Sequence, residues 1–175
     1  MAADGFSRMS DRNRFGVVAV QDQAGAENAM GGISQAFADN VPILVLPRGS
    51  SLDRAAVRPY FSAVNTYRSI AKQAETIARP DMVGDVMRRA FHALRNGRPG
   101  PVVVEMPSDV SSQEVPEEGL AYQPPKVSVQ MPSASDIKDA VRVLLGASRP
   151  IIWSGMGVLL SGATAELREL AELTE

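Results

Sequence analysis

The side chains best suited to chemistry fall into a few groups. Arg48, Arg54 and Arg58 sit in a loop after an apolar run, the kind of strand end where open α/β sheets take ligands. There they suit an anionic substrate. A second basic set, Arg88, Arg89, Arg95 and Arg98, lies on and just after a helical segment. It could hold phosphate, and it reads equally as a solvated face with favourable charge near a helix C-terminus. Glu27 falls in the first turn of a helix, where a carboxylate is favoured by the helix dipole. The stretch Ser154–Gly162, SGMGVLLSG, has glycines spaced 2 and 5 apart. Its third glycine misses the dinucleotide spacing, which leaves a tight turn after a strand.

What is missing narrows the chemistry further. The 175 residues include no cysteine and one histidine, His92. Thiolate nucleophiles, disulfide scaffolds, Cys-ligated metals and multi-histidine metal sites are excluded. No G-x-S-x-G elbow is present to pair with His92, which reads as a helix-surface histidine. Lys and Arg number 18 against 20 Asp and Glu, a net charge of -2, which argues against a dedicated nucleic-acid or membrane-surface binder. At 45% hydrophobic and 22% charged, the composition is that of a globular chain. The longest strongly apolar run is residues 41–47, far short of the ~20 residues that span a bilayer. The opening residues lack a signal-peptide pattern, so a cytoplasmic location is expected.

The elements that must position these groups alternate between β-rich and helical runs. GVVAV (16–20), ILVL (43–46), PVVVEMP (101–107) and PIIW (150–153) are compact enough for buried parallel strands. A helix is expected over 26–40, with Ala26, Met30, Ile33 and Phe37 on one face. Another is expected over 81–96, capped by Asp81 and stopped by Gly97 and Pro99, with Val83, Val86, Met87, Ala90, Phe91 and Leu94 buried. Residues 48–62 read as an irregular loop. Residues 107–134 gather prolines without apolar period and read as a linker. Ser135 opens a further helix, and another lies around 163–173. The fold class is α/β, a three-layer parallel sheet with helices on both faces. One strand flanked by two helices makes no independent core, so the second unit reads as the opening of a larger domain.

The segment from Gly16 to Gly49 resembles the thiamine diphosphate enzymes of the acetolactate synthase and pyruvate oxidase type. The family's strand, GPGxxN turn, helix and D-x-x-P turn correspond to Val17–Val20, Gln23-Ala24-Gly25-Ala26-Glu27-Asn28 and Asp39-Asn40-Val41-Pro42. MAADGFSR is similar to the family's A-x-G-Y/F-A-R helix end. GRPGPVVVEMPSDV (97–110) is similar to its G-R-P-G-P-V strand, and RPIIWSGMGV (149–158) to the start of its central domain.

The resemblance implies that residues 1–110 are the latter part of a pyrimidine-binding domain, 111–134 a linker and 135–175 the beginning of a central Rossmann-like domain, truncated at both ends. It implies a 2-oxo acid carboligase or decarboxylase. Thiamine diphosphate and Mg²⁺ would be bound in the full-length enzyme, the cofactor lying between copies in a homodimer or homotetramer. Some relatives also bind a flavin (FAD) in the central domain. The family's catalytic glutamate would lie before Met1 and its Gly-Asp-Gly metal motif is not in the chain, so no catalytic residue is assigned and the isolated chain is expected to be inactive. Ala24, Gly25 and Asn28 are the cofactor-binding residues implied. Gly25 would let the backbone approach the cofactor and Asn28 would offer its amide. Ala24 stands where the family has proline, a departure that bears on substrate preference. The competing reading is a non-catalytic α/β interaction module derived from the same fold.

Overall fold

The structure, a computed structural model, describes every residue except 11–13, 121, 129 and 175. The chain divides into two compact units, Met1–Ser128 and Val129–Glu175. The first unit is built on four parallel strands: β1 (Gly16–Val20), β2 (Ile43–Gly49), β3 (Gln73–Thr76) and β4 (Val102–Pro107). Their spatial order is β1-β2-β4-β3, so β1 and β3 are the two edges. Parallel neighbours need crossovers, and helices supply them. These are α2 (Ala24–Ala38), α3 (Ala63–Tyr67) and α4 (Val83–Arg95), while α1 (Ala2–Met9) precedes β1. The expected parallel α/β architecture is thus present, with one strand that the apolar runs do not announce. That strand is β3, four half-buried residues, QAET, too short and too polar to stand out.

Alternating strand residues divide the core into two layers. Ile43, Val45 and Val103 face α2 and α3 and meet Ala26, Ile33, Ala36, Ala63 and Tyr67. Leu44, Val102 and Val104 face α4 and meet Val86, Ala90, Ala93 and Leu94. The expected α4 stripe is the observed one, with Val83, Met87 and Phe91 packed around its edge. The expected α2 face is rotated. Ala26, Ile33 and Ala36 are buried, while Met30 and Phe37 are 37% and 40% exposed. Two alanines and Ile33 line the helix side that lies on the sheet, and Met30 and Phe37 are displaced outward. Asp81 does not cap α4. Its carboxylate is held by Arg79 at two distances of 3.0 Å, and a 3₁₀ turn over Pro80–Met82 leads into the helix. Gly97 ends it with a φ of 65° that side-chain-bearing residues disfavour.

Helix α1 is locked onto the edge of the sheet by two small residues. A Cβ on Gly16 would stand 2.2 Å from the Ala3 carbonyl oxygen, so only glycine permits this contact. Ser7, fully buried, accepts from the Gly16 N–H at 2.8 Å and donates to the Pro42 carbonyl at 2.7 Å. One hydroxyl therefore joins α1, β1 and the entry to β2.

The second unit holds α5 (Ala134–Leu145), α6 (Met156–Ser161) and α7 (Thr164–Leu173). Ser133, not Ser135, caps α5 by accepting from the Asp136 N–H at 3.2 Å. Residues 150–153, expected as a strand, carry no ladder among the described residues. A strand exists only by pairing, and none of the described residues of this unit is extended beside them. None of its described residues is buried. Ile151 is 90% and Trp153 95% exposed. No described helix of either unit is long and apolar enough to cross a membrane.

Candidate functional site

The carboxyl ends of parallel strands gather loops, and here they gather the turn that follows β1. That turn, residues 21–25, brings the chain from the sheet edge into α2. Gln23 takes a φ of 46°, which reverses the chain just before the helix. At Gly25 a Cβ would stand 2.5 Å from Cγ of Gln21, so any side chain there would have to displace that of the exposed Gln21. Both ends of the turn are fixed. Asp22 accepts from the Ser50 hydroxyl at 3.0 Å, which ties the turn to the end of β2. The Tyr67 hydroxyl donates to the Ala26 carbonyl, which ties the start of α2 to α3.

Tyr67 is fully buried. Its phenol is pushed up to about 12, first by burial and then by the negative charge of Glu27. It therefore stays a neutral donor at any ordinary pH. The position of α3 depends in turn on Glu105 of β4, a carboxylate only 5% exposed at the centre of the sheet. Glu105 accepts from the Ala63 N–H at 2.8 Å with one oxygen and from the Thr76 hydroxyl at 2.8 Å with the other. A Cβ on Gly49 would lie 2.8 Å from its Cγ, so the neighbouring strand leaves room for it by having no side chain. A buried carboxylate is tolerated because its lone pairs are filled by these donors.

The loop after β2 is anchored the same way. Asp109 accepts from the Leu52 N–H with both oxygens at 3.1 Å. Burial acts to raise this carboxyl. The backbone amides of Leu52, Asp109 and Val110 and the Ser51 hydroxyl outweigh that and hold it below the usual carboxylate range. Arg54 and Arg58 are exposed on this anchored loop, whereas Arg48, expected in the loop, is exposed on β2 itself, beside Met106 of β4.

Of the residues the sequence singled out, Ala24, Gly25 and Asn28 fall together on the turn and the first turns of α2. Asn28 is exposed, and its amide is uncommitted among the described residues. It lines a cavity of about 210 Å³ with Asp4, Val18, Ile33 and Ile43. Asp4 gives one carboxylate oxygen to Arg8 Nε at 3.0 Å. Its other oxygen, Oδ1, is buried without a partner among the described residues. Glu27 is exposed on α2, as its reading as a dipole-favoured first-turn acid requires. His92 is exposed on α4, as expected, and Arg89 of that helix is bound to Glu75 of β3, the edge of the sheet opposite β1.

Sequence reasoning missed Asp4, Tyr67, Glu105 and the Asp22–Ser50 bond. Asp4 carries no flag in the sequence, because on a helix over residues 2–9 it shares a face with Ser7 and Arg8, opposite Ala2, Phe6 and Met9. Glu105 interrupts a strand otherwise apolar from Val102 to Met106, which is a legible signal for a buried, paired charge. Tyr67 and Ser50 carry no such signal, because their partners lie 41 and 28 residues away.

Comparison with known proteins agrees with this geometry. Residues 1–69 match the family model for the thiamine pyrophosphate enzyme, N-terminal TPP binding domain. The chain is 33% identical to the glyoxylate carboligase of Escherichia coli O157:H7 over 98% of its own length and 29% of that relative's. It is 32% identical to a probable acetolactate synthase large subunit of Methanocaldococcus jannaschii, over 99% of the chain and 30% of the relative. It is also 32% identical to the acetolactate synthase isozyme 3 large subunit of Escherichia coli K12, over 97% and 30%. The chain thus spans about 30% of the length of these curated relatives. With its four parallel strands and its turn ahead of α2, the chain carries, over residues 1–69, the match to the thiamine pyrophosphate (thiamine diphosphate) enzyme N-terminal domain, and it is similar along nearly its whole length to enzymes of the acetolactate synthase type.

Proposed function

We propose that this chain supplies the pyrimidine side of a thiamine diphosphate site in a 2-oxo acid carboligase or decarboxylase of the acetolactate synthase type. The observation that carries the reading is the doubly anchored turn between β1 and α2. Ala24 and Gly25 present little but backbone there, and Asn28 adds an uncommitted amide. Bare backbone beside a free carboxamide fits a flat heteroaromatic ring with ring nitrogens and an amino group. The unpartnered Asp4 Oδ1 in the cavity that Asn28 also lines is a further acceptor for such an amino group.

When bound, thiamine diphosphate supplies the electron sink for the 2-oxo acid's carbonyl carbon. This chain's own part is to bind and orient the pyrimidine. Tyr67 and Ser50 fix the turn so that the orientation is set before the cofactor arrives, which lowers the ordering cost on binding. Arg48, exposed on β2, and Arg54 and Arg58, exposed on the anchored loop after it, are placed to attract an anionic 2-oxo acid. The groups that hold the diphosphate and Mg²⁺, and the catalytic acid, would be contributed by regions of the relatives outside the matched 30%, with a second copy of the chain completing the site. On this reading the 175 residues alone do not turn over substrate.

The test uses the chain itself. Titration with 4-amino-5-hydroxymethyl-2-methylpyrimidine, followed by amide NMR, is expected to move the signals of residues 24–28, and Asn28→Ala is expected to weaken that response about tenfold. Shifts confined to other regions, or a response unchanged by Asn28→Ala, would overturn the assignment and leave the interaction-module reading. Calorimetry with thiamine diphosphate and magnesium is expected to show no tight binding. Stoichiometric, high-affinity binding would refute the view that the site is only partly held here.

A further inference from the structure

The basic face of α4 has an opposite wall that the sequence did not reveal. Residues 123–126, Gln-Pro-Pro-Lys, run alongside α4 and close a groove of about 670 Å³ with Gln73, Arg88, Arg89 and His92. That volume lies within the ~300–1,000 Å³ of small-molecule sites. The wall is fixed at both ends. Tyr122 packs edge-to-face on Phe91 of α4, with ring centroids 5.6 Å apart. Asn96, just past the helix, donates to the Lys126 carbonyl at 3.2 Å and accepts from the Ser128 N–H at 2.6 Å. Between these ties the Pro124-Pro125 pair restricts the backbone.

The groove offers mainly donors. Arg89 is committed to Glu75 through three hydrogen bonds of 2.9–3.1 Å. Arg88 gives a single N–H to Asp85, at 2.7 Å and in an exposed pair, which leaves the rest of its guanidinium fork free. Lys126 is exposed and has no ion pair among the described residues. Asn96 Nδ2 lies 3.3 Å from His92 Nδ1. With that nitrogen accepting, Nε2 carries the proton and becomes a further donor. Arg88 and His92 are one helical turn apart on one side, and Lys126 stands on the other.

From this arrangement we propose that the groove between α4 and residues 123–126 binds a small phosphate-bearing ligand, clasped between the Arg88 guanidinium and the Lys126 ammonium with His92 as a third donor. A guanidinium fork matches phosphate oxygens in pairs, and the ammonium adds a point charge. The groove borders β3, whereas the turn before α2 follows β1 at the opposite edge of the sheet. The site is therefore separate from the proposed pyrimidine site and does not depend on that reading.

The test is titration of the whole chain with inorganic pyrophosphate at about 0.15 M salt, where loose surface attraction is screened. Amide and arginine side-chain NMR signals at 88–92 and 123–126 are expected to move saturably, with a midpoint near or below about 1 mM. Arg88→Ala and Lys126→Gln are each expected to weaken binding about tenfold. Both positions are exposed, and unchanged amide spectra for the other α4 residues confirm that each variant folds. Three results would overturn the proposal: shifts that never saturate, equal shifts at Arg142 of the second unit, or unchanged affinity in Lys126→Gln. A hexaglutamate peptide that binds as tightly as pyrophosphate would also overturn it, by assigning the groove to an acidic protein surface.

Discussion

Three buried polar side chains, Tyr67, Glu105 and Ser7, hold the turn and its surroundings in place, and each makes a distinct prediction. Because the phenol of Tyr67 is raised from 10 to about 12 in the native state, folding favours its neutral form. That contribution is complete below pH 10 and is lost as the pH rises through about 12. The denaturant midpoint should therefore fall between these values. Tyr67→Phe should abolish that fall and remove a phenolate absorbance step near pH 12. At neutral pH the same substitution should cost about 1 kcal/mol, the net worth of one hydrogen bond. Glu105→Ala leaves a buried amide and a hydroxyl without their acceptor and should cost about 3 kcal/mol in urea unfolding. Glu105→Gln keeps one acceptor oxygen and should cost less. An equal loss in both variants would mean that the carboxylate charge, not its hydrogen bonds, matters.

These residues also show where legibility ends. The Gly25 turn is readable in the sequence because glycine between an apolar run and a helix has a local cause: any Cβ there would have to displace the side chain of its own neighbour Gln21. Asn28 is readable only through a motif, since nothing local distinguishes an exposed first-turn amide from any other. The hydroxyl of Tyr67 is not readable at all, because its acceptor is brought to it by the packing of α3 on α2.

At the scale of elements, α1 is the informative case. It is short, and a helix of eight residues is not stable alone in water. It persists because it lies against the backbone of β1 at Gly16 and because Ser7 bridges three segments. Gly16→Ala should push α1 off the sheet edge, since the obstruction is backbone and cannot rotate away. The expected result is fast amide exchange in residues 2–9 with protection in α4 retained. Ser7→Ala should cost about 2 kcal/mol, because it leaves the buried Gly16 N–H and Pro42 carbonyl unsatisfied. The sheet order is not accessible from the apolar runs. β3 is too short and polar to be seen among them, yet it forms the edge next to β4 and sets the crossovers that put α2 and α4 on opposite faces.

At the scale of the whole molecule, the two units differ in how much apolar surface each covers. Residues 1–128 have two buried layers across a parallel sheet. The described residues of the second unit have none buried, and α5 leaves Ile137, Val141 and Leu145 47%, 46% and 76% exposed. A unit without a core has little to oppose local opening. Limited proteolysis should therefore cut first within residues 129–174 and leave a product close to Met1–Ser128. Hydrogen exchange should rank α5 and α7 far below β2 and β4. Comparable protection in both units would show that the second unit is covered by association.

The sequence by itself determined the class of fold, three of the four strands, the buried stripe of α4 and the turn before α2. Each depends on residues close together in the chain: apolar runs, helical spacing, and glycine where the backbone must turn tightly. The lack of cysteine and the single histidine likewise limit the chemistry through composition alone. The tertiary structure alone decided how that turn is held, which groups satisfy the buried Glu105 carboxylate, and that a basic helix face is one wall of a groove. The bonds and contacts behind those three facts join residues 28 to 42 positions apart, from Asp22 and Ser50 to Ala63 and Glu105. No local pattern encodes such a pairing, because it exists only once the sheet has brought the two partners together.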